Sequence, residues 1–178
     1  MADCQAPCAV ANIRYLNPMI GYSIMVALAS PEATNQFASD LAKRLEVGDV
    51  LLLGGPIGAG KTHFARALIQ SLLQVPEDVP SPTFTLVQTY QVGLFELWHA
   101  DLYRLSSPKE LIELGMLEAF EGAITLVEWP DRLGNLKPDT ALHIDFGQGP
   151  APDSRTATLH WKGGMWPDRL KDLANAPA

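Results

Sequence analysis

The stretch from Leu51 to Phe64 contains Gly55-x-x-x-x-Gly60-Lys61-Thr62, and that spacing leaves few folds open to the chain. It matches the phosphate-binding loop at every fixed position, a pattern with meaning only between an incoming strand and an outgoing helix. Both flanks are present. Val50 to Leu53 is an aliphatic run of the kind that forms a strand buried on both faces. From Gly60 to Leu73 the residues Phe64, Ala65, Leu68, Ile69, Leu72 and Leu73 recur at helical spacing. Glycines let the backbone turn sharply and approach an anion, with successive N–H groups directed at phosphate oxygens. The helix start adds its dipole and its unpaired N–H groups. Lys61 supplies a point charge for the β- and γ-phosphates, and the Thr62 hydroxyl supplies a ligand for Mg2+. The expected nucleotide contacts are Ile57, Gly58, Ala59, Gly60, Lys61, Thr62 and His63.

A chain of 178 residues is long enough for one well-filled core, and 47% hydrophobic with 19% charged residues describes a globular protein. The net charge of −7 argues against a basic face that grips nucleic acid, so any RNA contact is expected through a partner. Cys4 and Cys8 lie in a polar N-terminal segment without nearby histidine, which reads as a loose tail with reduced thiols and not as a metal site. Ile20 to Ala29 is apolar but too short to span a membrane, and a strand explains it as well as a signal peptide does. The expected location is the cytoplasm. Met19 and Met25 offer alternative starts.

Along the chain, Tyr22 to Leu28 reads as a strand, and Ser30-Pro31-Glu32 opens a helix whose stripe is Phe37, Leu41 and Leu45. Val75 to Thr83 holds three prolines and cannot be helical inside. Phe84 to Val92 and Leu94 to Ala100 read as strands joined at Gly93, with Leu97, His99 and Asp101 on one face. Ser107 to Glu110 is a capping box before a helical stretch interrupted by Gly115. Ala123 to Val127 is a further buried strand ending in Glu128, and Ala141 to Phe146 and Thr156 to Trp161 are the last strands. The expected fold is a three-layer P-loop NTPase-like α/β domain over residues 22–164. It has a largely parallel central sheet, helices on both faces and antiparallel additions. Residues 1–21 read as a disordered extension and residues 165–178 as a C-terminal tail.

A nucleotide hydrolase also needs a strand-end carboxylate for Mg2+ or water. Asp101 and Glu128 qualify, and the purer apolar run before Glu128 favours it for the metal, leaving Asp101 to orient or activate water. His99 reads as a hydrogen-bonded core histidine. Thr83 and Thr85 suit a loop that senses the γ-phosphate, or else an ordinary turn and strand start. Thr34, in a first helical turn, faces either a nucleotide base or solvent. Trp129 packs or meets a protein partner.

Taken together, Gly58 to Thr62, Ser81 to Phe84, His99 to Arg104, Glu110 to Gly115 and Leu126 to Trp129 resemble, in content and order, the bacterial TsaE family. The resemblance runs from about Ser30 to Trp161. It implies a small ATPase that assists TsaB and TsaD in making threonylcarbamoyladenosine in tRNAs reading ANN codons. ATP and Mg2+ would be its cofactors, with tRNA met only through the partners. By the same match Thr62 and Glu128 would hold Mg2+, Asp101 would be a catalytic-site acid, Thr34 would lie near the nucleotide, and Trp129 would belong to the functional surface. Two departures stand out. Pro56 replaces an acid and removes an N–H, and His63 replaces a second hydroxyl residue. A small-molecule kinase is the competing class, although the arginines after the loop are scattered and form no lid. A non-hydrolysing scaffold is the third.

Overall fold

The computed structural model describes residues 10–14, 22–163 and 165–174. Its sheet has eight strands: β1 (Val10–Arg14), β2 (Tyr22–Leu28), β3 (Val50–Gly54), β4 (Val87–Val92), β5 (Phe95–Asp101), β6 (Ile124–Glu128), β7 (Leu142–Gln148) and β8 (Arg155–Trp161). They lie in the order β1-β2-β8-β7-β3-β6-β5-β4. The central β7-β3-β6-β5 pairings are parallel, and antiparallel pairs extend the sheet on either side. The phosphate loop therefore leaves a strand in the middle of the parallel part, flanked by two others running the same way.

Alternation along β3 explains its unbroken aliphatic run. Leu51 and Leu53 enter one core, and Val50 and Leu52 enter the other. The first core is closed by α1 (Pro31–Ala42) and α2 (Lys61–Leu72), where the rings of Phe37, Phe64 and Phe146 meet in series at tilted angles with centroids 5.6 and 5.2 Å apart. The second is closed by α3 (Pro108–Glu113), α4 (Met116–Gly122) and a 3-10 segment (Pro130–Leu136). Gly115, with φ of 74°, separates α3 from α4. Ser107 caps α3 through the N–H of Lys109. No helix among the described residues is long and apolar enough to cross a membrane.

Several boundaries differ from expectation. Strand β4 begins at Val87 because Pro82 to Leu86 closes a turn: the Leu86 N–H donates to the Pro82 carbonyl at 2.7 Å, and Leu86 takes φ of 64°. Local β propensity at Phe84 and Thr85 loses to that closure, and Phe84 stands 82% exposed. The expected disordered extension contains β1, which pairs with β2, so β2 is not a sheet edge. The rest of that extension, with Cys4, Cys8 and Met19, lies outside the described residues. The expected tail instead holds α5 (Trp166–Ala174), with Trp166 and Leu170 buried in the first core. Trp166 Nε1 donates to the Thr140 carbonyl at 2.8 Å, and the Arg169 guanidinium bonds both Asp49 and Glu46. A short amphipathic helix with two buried anchors thus docks within the segment expected as a C-terminal tail.

Candidate functional site

The loop after β3 holds three glycines in the left-handed region, Gly55, Gly58 and Gly60, with φ of 123°, 77° and 104°. At Gly55 a Cβ would come within 2.4 Å of the Phe146 carbonyl, so conformation and space both demand glycine. Gly60 starts α2 without a side-chain cap. An uncapped helix start presents free N–H groups and the positive end of the dipole to whatever lies before it.

Lys61 is 5% exposed and folds back on its own loop, donating to the carbonyls of Gly55 at 2.7 Å and Pro56 at 2.8 Å. Its Nζ also lies 4.0 Å from the centroid of the Trp129 ring. Burial pushes its pKa below the ordinary lysine value, against the opposing pull of Glu128 and Asp101. Trp129 has φ of 60°, a left-handed conformation that costs a non-glycine residue about 1–2 kcal/mol. That turn brings its ring beside Lys61 and 5.0 Å from the ring of Tyr103.

Pairing of β5 with β6 sets Asp101 directly opposite Glu128, and pairing of β3 with β6 sets Leu53 opposite Glu128. Glu128 therefore stands one strand from the loop and Asp101 two. Their contacts divide accordingly. Glu128 Oε2 accepts from Thr62 Oγ1 at 2.8 Å, and Oε1 meets His99 Nε2 at 2.9 Å. Asp101 Oδ2 accepts from Thr83 Oγ1 at 2.8 Å and from Ser81 Oγ at 3.4 Å, while Oδ1 accepts from the Tyr103 N–H at 3.0 Å. Thr85 is exposed, so of the two threonines in that segment Thr83 is the one that meets an acid.

These groups surround a cavity of about 250 Å³ lined by Ile57, Gly58, Lys61, Thr62, Ser81, Thr83, Asp101, Tyr103, Glu128 and Trp129. Across the loop a second cavity of about 250 Å³ is lined by Pro31, Thr34, Gly58, Ala59, Gly60, His63, Phe146, Asp153 and Arg155. Thr34 is buried there, its hydroxyl donating back to the Ser30 carbonyl at 3.3 Å, and His63 Nε2 lies 3.4 Å from the Pro31 carbonyl. A larger cavity of about 480 Å³, with Lys137, His143, Asp145 and His160 in its wall, contains none of the residues expected at a site.

The donors fit Mg2+. Thr62 Oγ1 and Glu128 Oε2 are hard oxygens 2.8 Å apart, close to the separation of about 2.9 Å between neighbouring ligands on an octahedral ion with bonds of about 2.0–2.1 Å. Among the described residues no three His, Cys, Asp or Glu side chains gather to hold a metal alone. This suits an ion whose remaining ligands are water and phosphate.

Sequence reading assigned no role to Ser81, Tyr103, Asp153 or Arg155; its expectation of His99 as a hydrogen-bonded core histidine agrees with a fully buried ring bonded to Glu128, and only that partner was left unnamed. Ser81, His99 and Tyr103 sit in the segments that carried the family resemblance, so the signal was present without a geometry to read it. Asp153 and Arg155 left no such signal, because a loop and a late strand bring them to α1 from far along the chain.

A family model described as threonylcarbamoyl adenosine biosynthesis protein TsaE matches residues 28–156, more than half of the chain. The chain belongs to the TsaE family. The tRNA threonylcarbamoyladenosine biosynthesis protein TsaE of Rickettsia bellii is 41% identical over 119 residues, covering 67% of this chain and 83% of that protein. The TsaE of Bacillus subtilis is 38% identical over 146 residues, 82% of this chain and 90% of its own length. In structure the chain is similar to Bacillus subtilis YdiB, with a TM-score of 0.72 and 27% identity over 93% of this chain and 97% of that one. Nucleotide binding and a place in tRNA processing fit this TsaE-family chain.

Proposed function

We propose that this TsaE-family protein is a cytoplasmic, Mg2+-dependent ATPase that drives the cycle of a TsaB–TsaD complex making threonylcarbamoyladenosine in tRNAs that read ANN codons. The observation that supports this reading best is the gathering of Lys61, Thr62, Glu128 and Asp101 around one cavity at a phosphate loop. ATP enters with its triphosphate along Gly58 to Thr62. Lys61 exchanges two loop carbonyls for phosphate oxygens, a swap that charge favours. Thr62 and Glu128 hold the divalent cation, which supplies charge neutralisation on the phosphates when bound. Asp101, fixed by the hydroxyls of Thr83 and Ser81, faces the same cavity and orients the attacking water. Thr34 and His63 border the second cavity, on the nucleoside side of the loop.

Partner dependence is favoured by the rim. Ile57 is 74% exposed and Tyr103 is 45% exposed, and both line the cavity, so large apolar side chains stand open to solvent at its mouth. Trp129 joins them as the inner wall. A net charge of −7 leaves tRNA contact to the partners.

The test is phosphate release from ATP with and without purified TsaB and TsaD. Slow release that rises on adding the pair is expected. Lys61→Ala should raise the Kd for ATP at least about 30-fold, since a desolvated charge partner is worth about 2–5 kcal/mol. Tight ATP binding with no turnover in the full mixture would favour a scaffold, and phosphoryl transfer to a metabolite would favour a kinase.

A further inference from the structure

The carboxylate of Glu128 is held at both ends. Oε2 accepts from Thr62 at the cavity, and Oε1 meets His99 Nε2 at 2.9 Å inside the sheet. His99 and Glu128 are 0% and 2% exposed. A glutamate side chain has three torsions, and a single bond at the mouth leaves some of them free. The second bond comes from the neighbouring strand. On β5 the residue opposite Leu126 is His99, two before the one opposite Glu128, so the imidazole reaches forward along a shared face.

An ionised carboxylate only accepts, so in this bond Nε2 is the donor. Nδ1 has no hydrogen-bond partner among the described residues. A residue kept for packing alone would gain nothing from that buried nitrogen, and a leucine would fill similar volume without it. The ring acts through Nε2.

We propose that His99 is a positioning residue that fixes Glu128 with Oε2 toward Thr62, so that a divalent cation meets two preset oxygens. The inference rests on the reading of Thr62 and Glu128 as cation ligands given above. Groups that orient metal ligands in this way are worth about 10- to 100-fold in metal affinity.

Glutamine can place an amide N–H near the Nε2 position, whereas asparagine reaches only as far as Nδ1, and leucine has no donor. The experiment titrates Mg2+ calorimetrically into wild type, His99→Gln, His99→Asn and His99→Leu, each saturated with a non-hydrolysable ATP analogue. Analogue affinity in EDTA and melting midpoint are measured alongside. His99→Asn and His99→Leu should bind Mg2+ about 10- to 100-fold more weakly with metal-free analogue affinity unchanged, and His99→Gln should recover most of the loss. Either of the first two variants suffices if the other does not fold. Mg2+ affinity equal to wild type in either, or an equal loss in His99→Gln, overturns the role of His99 while leaving the site assignment standing. A wild-type protein that binds the analogue but shows no Mg2+ titration overturns the site assignment itself.

Discussion

At Glu128 one substitution separates charge from shape. Glutamine in its place keeps an oxygen for His99 and turns an amide toward Thr62, whose hydroxyl then accepts instead of donating. The buried bonds survive and the cation loses its anionic ligand. Glu128→Gln should therefore lower phosphate release at least about tenfold at fixed Mg2+. It should also shift the calorimetric midpoint by no more than about 4 °C. A collapsed midpoint would assign Glu128 to structure instead of to the metal. Lys61 illustrates a different balance. Trp129 and two carbonyls hold it away from water, and desolvation weakens its hold on its proton. A triphosphate reverses that strain by giving the ammonium an anionic partner.

Helix α1 shows how local chemistry sets an element that the site then uses. Ser30 accepts the Ala33 N–H at 3.2 Å, Pro31 occupies the first helical position, and Glu32 meets the positive end of the dipole. The same first turn carries Thr34 to the second cavity. Ser30→Ala should cost about 1 kcal/mol, lowering the midpoint by about 2–4 °C. Ser30→Gly should cost only a few tenths. Calorimetry on the pair checks this; equal losses would mean that the hydroxyl contributes through something other than the cap.

Across the whole molecule, function and closure sit at opposite ends of the sheet. The phosphate loop leaves the C-terminal end of β3, whereas α5 grips Asp49 and Thr140, just before β3 and β7 begin. Trp166→Ala should thus destabilise by about 3–5 kcal/mol through the lost core contact, with ATP affinity unchanged. Chemical denaturation and calorimetric ATP binding test the two halves. The pH response is a property of the whole chain as well. Burial, helped by Lys137, pushes the His143 pKa below its ordinary value of 6.5, with Asp145 opposing and His160 and Lys162 assisting. Above that value both states carry neutral imidazole and nothing is gained or lost. Below it the unfolded chain takes the proton more readily, so stability falls as pH drops through about 6.5 and levels once the folded protein also titrates. Denaturation midpoints from about pH 7.5 to 5.5 should decline in wild type and decline less in His143→Gln.

The sequence by itself determined what short-range chemistry controls: the phosphate loop with its strand and helix, the cap of α1, the break at Gly115 and the burial of β3 on both faces. These depend on periodicity and on residues within one or two turns of each other. It also narrowed the strand-end acids to Asp101 and Glu128. The apolar run before Glu128 already favoured it over Asp101 for the metal, and the tertiary structure supplied the contact itself, because strand order places β6 beside β3 and register then sets Glu128, not Asp101, against Thr62. The bond from His99 to Glu128, the turn that seats Thr83 on Asp101, the pairing of β1 and the docking of α5 were decided there too. Each joins residues that lie in different elements, beyond the reach of a single helical turn or strand repeat, and no local pattern encodes which partner a side chain will meet.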